Sequence, residues 1–147
     1  MLNPTDEQRY QELLEIAMAH ARQGEVEELR LMLEHGLPVN LSNSEGNSLL
    51  MLAAYNDHPE LVQLLLEAGA DPDRRNDRGQ TPLAGVAFKG YLQVAKILLS
   101  AGADPLAPQG MGMTPISFAK MFGQTELEKL LQEAAAALKK ADSATTQ

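Results

Sequence analysis

Three histidines, a cluster of aspartates and eleven glycines are the residues of this 147-residue chain whose types and spacing could do chemistry. His20, His35 and His58 do not have the spacing of a metal-ligand set. Asp71, Asp73 and Asp77 alternate like the start of a calcium loop. The sixth position of that loop is Asn76 where glycine is needed, and the twelfth is Pro82 where a bidentate carboxylate is needed. No glycines stand in the Gly-x-x-x-x-Gly-Lys arrangement that cradles phosphate. There is no Cys, which excludes disulfides, thiolate metal sites and a Cys nucleophile. No Ser/His/Asp set is suggested, and the paired carboxylates read as solvated helix faces. The expectation is a non-enzyme with no metal and no cofactor.

The elements that carry these residues follow from a repeat. Gly46, Gly79 and Gly112 stand 33 residues apart, as do Gly36, Gly69 and Gly102. In register, one unit reads GNSLLMLAAYNDHPELVQLLLEAGADP, the next GQTPLAGVAFKGYLQVAKILLSAGADP, and the last GMTPISFAKMFGQTELEKLLQEAA. One period earlier, LLEIAMAHARQGEVEELRLMLEHGLPVN is a degenerate first unit. Each unit has the signals of two helices. Thr81, Thr114 and Ser48 can cap a helix start, and Pro82 and Pro115 fit the first helical position. Gly90 and Gly123 suit a left-handed helix end, with Asp57 in their place in the second unit. Leu61, Val62, Leu65 and Leu66 recur at helical spacing, as do Val94, Ala95, Leu98 and Leu99. Gly69 and Gly102 end those helices, and a positive φ is expected there. These signals predict helices near 5–23, 25–35, 48–56, 59–68, 81–89, 92–101, 114–122 and 125–139.

Composition agrees with a soluble helical stack. Hydrophobic residues make up 44%, aromatics only 4%, so the core is Leu, Ala, Val and Met. The net charge is −8, which disfavours nucleic acid, since phosphate contacts need a basic face. Residues 70–102 depart from that balance with five basic and three acidic side chains. No apolar run is long enough to span a membrane, and the first residues lack the basic start and apolar stretch of a secretory signal. The expectation is a cytoplasmic protein, or a periplasmic one if a signal segment has been removed, that binds neither membrane nor nucleic acid.

The repeat resembles the ankyrin repeat, G-x-T-P-L-H-x-A-A-x-x-G-H, then an apolar helix, then L-L-x-x-G-A-D. The likeness covers roughly residues 10–133, and rests on Thr81-Pro82-Leu83, Thr114-Pro115-Ile116 and the Gly-Ala-Asp-Pro ends at 69–72 and 102–105. The usual His after Leu is replaced by Met51, Ala84 and Ser117, and the second unit has Ser48-Leu49 in place of Thr-Pro. The resemblance implies an all-α ankyrin-repeat solenoid: four helix-turn-helix units with projecting β-turn fingers. They would form a single domain over 1–140, with units about 5–40, 41–73, 74–106 and 107–140, then a frayed polar tail at 141–147. It implies a small, bacterial, monomeric protein-binding module with an unidentified protein partner, acting as adaptor, inhibitor or regulatory subunit. The competing reading is a stabilising accessory subunit of a neighbouring enzyme. His58 occupies the family's His position before the second helix and is expected to satisfy local backbone.

Partners of the family contact finger tips and two positions near the end of each first helix. Carried onto this chain, the helix positions are Arg22 and Gln23, Tyr55 and Asn56, Phe88 and Lys89, and Met121 and Phe122. The finger positions are Ser44, Glu45 and Asn47; Arg75, Asp77, Arg78 and Gln80; and Gly110, Met111 and Met113. The resemblance therefore places a partner surface at Tyr55, Asn56, Arg75, Asp77, Arg78, Gln80, Phe88, Lys89, Met111, Met113, Met121 and Phe122. Aromatic and Arg side chains are the types enriched at interface hot spots.

Overall fold

The computed structural model describes residues 3–145. Among these, eight helices form four pairs: α1 (Pro4–Gln23) with α2 (Val26–Glu34), α3 (Leu49–Tyr55) with α4 (Pro59–Glu67), α5 (Pro82–Lys89) with α6 (Leu92–Ser100), and α7 (Pro115–Met121) with α8 (Thr125–Thr145). The first helices of the pairs pack on one another in chain order, and the second helices form a parallel outer row. Among the described residues, the sole β pairing is the isolated bridge between Ser42 and Ser48.

Local sequence sets the helix ends. Ser48 Oγ accepts the backbone N–H of Met51 at 3.1 Å, which compensates for the missing Thr-Pro of the second unit. Thr114 caps α7 and forms a reciprocal capping box with Ser117. Thr81 differs from expectation: its hydroxyl makes no cap, but accepts from Gln109 Nε2 at 3.2 Å. Gly69 and Gly102 have φ of 99° and 97°, and Asp57 has φ of 60°, as the left-handed ends require.

Stacking builds the core. Ala21, Ala54 and Ala87, one period apart, are fully buried and let the inner helices approach closely. Leu29, Leu61, Leu65, Val94, Leu98, Leu127 and Leu131 fill the space between the rows. No unit buries this surface alone, so stability comes from neighbours. Polar bonds repeat with the same period. Asn40 Oδ1 accepts from Asp71 N at 2.9 Å, and Asp73 accepts from Asp104 N at 3.0 Å. His58 donates from Nε2 to Arg22 O at 2.7 Å, and Gln124, two periods on, donates to Phe88 O at 3.3 Å. His58 is thus structural, but its partner lies 36 residues away in the preceding unit rather than in the local backbone. Its ring lies against Gly24, where an added Cβ would sit 2.4 Å from Nδ1.

The last helix corrects an expected boundary. α8 runs through Thr145 instead of ending near residue 139, so residues 141–145 of the expected tail are helical. Its latter part, rich in Ala, Leu and Lys, has high helix propensity and contains no Gly or Pro to stop it. Residues 146–147 of the expected tail lie outside the described residues.

Candidate functional site

Tyr55 ends α3, and its ring packs against the next inner helix at Gly85. A Cβ at Gly85 would fall 1.6 Å from Tyr55 Cε1, so only glycine admits this contact. The equivalent positions one period either side are Leu52 and Phe118. Beside this contact lies a groove of about 390 Å³ between α3, α5 and α7. Tyr55, Arg78, Gln80, Ala84, Gly85, Phe88, Lys89, Phe118 and Phe122 line it.

Its wall is aromatic. Phe88 and Phe122 meet edge to face, with ring centroids 4.5 Å apart and planes at 80°. Each remains 46% exposed, a large apolar surface left to solvent. Burial raises the Tyr55 phenol above its ordinary pKa, and the Arg78 guanidinium offsets part of that rise. Tyr55 is therefore a neutral phenol at neutral pH. Its hydroxyl makes no hydrogen bond among the described residues.

The rim is cationic. Arg78 and Lys89 are exposed, and their side chains form no ion pair or hydrogen bond among the described residues. The ion pairs found there are His20–Glu25 and Arg30–Glu27, both in the first unit. Gln80 is held in place, its Oε1 accepting from Asn76 Nδ2 at 3.0 Å.

Of the residues carried over from the family pattern, the structure brings together Tyr55, Arg78, Gln80, Phe88, Lys89 and Phe122. It does not bring Arg75 to the groove: that guanidinium is bonded to the carbonyls of Gly79 and Pro108, clipping one finger to the next. Asn56 turns its amide back to Leu52 O at 2.7 Å. Asp77 joins the preceding finger through its backbone N–H to Glu45 O at 3.1 Å. Met113 accepts a contact from Ser117 Oγ at 3.9 Å. Met121 is exposed on the inner helix row, and Met111 stands fully exposed at a finger tip with φ of 54°. Sequence reasoning missed Ala84, Gly85 and Phe118. The signal was present: a glycine inside a helix where neighbouring units carry Leu and Phe marks a close approach.

The histidines are distributed rather than clustered. His20 meets Glu25 at 2.9 Å, and His35 Nδ1 meets Leu31 O at 2.8 Å. Among the described residues, no group of three or more His, Asp or Glu is placed to hold a metal ion, and no helix is long and apolar enough to cross a membrane.

Paired helices stacked at a 33-residue period, with turns projecting from one edge, define a helical repeat protein. Models of the ankyrin repeat match residues 32–86 and 78–109, together more than half of the chain. The chain belongs to the ankyrin-repeat family. It is similar to an ankyrin repeat protein of Pseudomonas aeruginosa, 52% identical over 40 residues. That match covers 27% of this chain and 23% of the relative. Ankyrin repeats are in general protein–protein interaction modules.

Proposed function

We propose that this protein is a binding module, an adaptor, inhibitor or regulatory subunit, that engages a protein partner on the face shared by its inner helices and fingers. The observation that carries this reading is the groove at Tyr55, Phe88 and Phe122. It presents half-exposed aromatic rings beside two cations whose side chains form no ion pair or hydrogen bond among the described residues. Aromatic residues supply buried area, and rim charges supply orientation and association rate. Met121 on the inner row and Met111 at a finger tip are further exposed apolar side chains. The scaffold binds; nothing in this arrangement needs a reacting group.

The test is affinity capture from the native cell, followed by binding and thermal melts on Phe88→Ala. Loss of the Phe88–Phe122 contact costs the fold about 0.5–1.5 kcal/mol. Binding weakens by about 1–4 kcal/mol if Phe88 is an anchor. Normal binding with a much earlier melt places Phe88 in the core and refutes the assignment.

A further inference from the structure

The groove differs from a flat contact surface in having a floor, a wall and a rim of distinct chemistry. The floor is Ala84 and Gly85, and Gly85 stands where the adjacent units carry Leu52 and Phe118. The wall is Phe88, Phe118 and Phe122. At about 390 Å³ the groove is at the small end of ligand sites, enough for one large side chain and its backbone rather than an extended ligand.

The rim chooses the kind of occupant. Aromatic walls attract an ammonium through their ring faces. Here Arg78 and Lys89 stand on the same rim, and no carboxylate lines the groove. A cation entering it meets two like charges and no counter-charge. An uncharged apolar side chain meets only the rings and the floor. The rim cations then face the residues that flank it. Residues 70–102, which include both, have five basic and three acidic side chains in a chain whose net charge is −8. Arginine recognises carboxylates in bidentate geometry, and the open Tyr55 hydroxyl adds a further donor.

We infer that the groove receives a single large apolar side chain from an acidic segment of the partner, with flanking carboxylates paired to Arg78 and Lys89. This rests on the binding-module reading and specifies the chemistry of its partner.

The experiment is a selection of short random peptides displayed against the intact chain, repeated on the double variant Arg78→Glu with Lys89→Glu and on Phe88→Ala. The expected winners carry Leu, Ile, Met or Phe next to Asp or Glu. One such peptide, synthesised, loses about tenfold or more in affinity to each variant. The charge-reversed variant selects the same anchors flanked by Lys or Arg. Circular dichroism melts confirm that both variants are folded under the selection conditions, and a variant that fails this is replaced by Arg78→Gln with Lys89→Gln or by Phe88→Leu. Enrichment of basic flanks on the wild type, winners without an apolar anchor, winners that bind the variants unchanged, or no enrichment at all each overturns the inference. A native partner that loses Phe88→Ala yet presents a basic segment leaves the module reading intact and refutes this one. Acid-flanked winners alongside a native partner indifferent to Phe88→Ala do the reverse.

Discussion

Gly85→Ala sets two opposing effects against each other within one short helix. Alanine in a helix interior is favoured over glycine by about 0.8–1 kcal/mol. Gly85 lies inside α5, so propensity alone predicts a gain. The added Cβ, however, would sit 1.6 Å from Tyr55 Cε1 and 2.2 Å from Cζ, so the ring must leave. Tyr55 is half-buried, and surrendering its packing costs on the order of 1–3 kcal/mol. The net effect in the wild-type background is a loss of about 0–2 kcal/mol. In a Tyr55→Ala background the obstruction is gone, and the same substitution stabilises by about 1 kcal/mol. The coupling between the two sites is therefore about 1–3 kcal/mol. Urea denaturation of the four proteins of the cycle measures it, provided the m-values agree. If Gly85→Ala stabilises equally in both backgrounds, with coupling below about 0.5 kcal/mol, Tyr55 does not rest on Gly85 and the floor of the groove is misassigned.

Leu98→Ala opens a cavity at a fully buried position between the outer and inner rows, and costs about 2–5 kcal/mol by urea denaturation; a loss below about 0.5 kcal/mol contradicts the core assignment. Asp73 offers a pH test. Burial raises its carboxyl above the usual range, the Asp104 backbone N–H pulls it back, and Asp104 and Asp71 raise it further. Ionising Asp73 therefore costs more in the folded state than in the unfolded one. Its contribution is whole below the ordinary carboxylate value of about 3.9 and is lost as pH rises through the raised folded value. Asp73→Asn keeps the bond to Asp104, as Asn40 already does one unit earlier, so it raises the melting temperature at neutral pH and removes that loss; a lower melting temperature at neutral pH refutes the reasoning. Reversing Arg78 and Lys89 to Glu slows association with the partner, most visibly at low salt where screening is weakest, and an unchanged rate in stopped-flow measurements counts against a steering role.

The helix pairs were legible because glycine, proline and capping residues recur with the period, and seven of the eight helices end within about two residues of where those signals point. The end of α8 was not, because no breaker follows Leu138 and propensity carries the helix on. Half of the proposed partner residues converge on one groove because the period fixes their place on the inner helices. What the pattern could not reveal was competition for side chains. Arg75 resembles Arg78 in composition and neighbourhood, yet its guanidinium reaches Pro108 O in the next finger and is used there. Thr81 has the sequence of a cap, but the longer side chain of Gln109, where earlier units have Asn43 and Asn76, takes its hydroxyl instead. Gly85 was visible in the sequence, but its meaning needed Tyr55 against it, 30 residues earlier in the chain.

The absence of Cys allows the central claim to be tested from single positions. Met121→Cys places a photo-reactive label on the exposed inner row beside the groove, and Lys96→Cys places it on the exposed side of α6 in the outer row. Each labelled protein is illuminated in extract of the native cell and its adducts are identified by mass spectrometry. The account predicts one protein captured from position 121, absent from position 96, and lost when Phe88→Ala is added to Met121→Cys. Capture from position 96 alone, or capture from position 121 undiminished by Phe88→Ala, contradicts it.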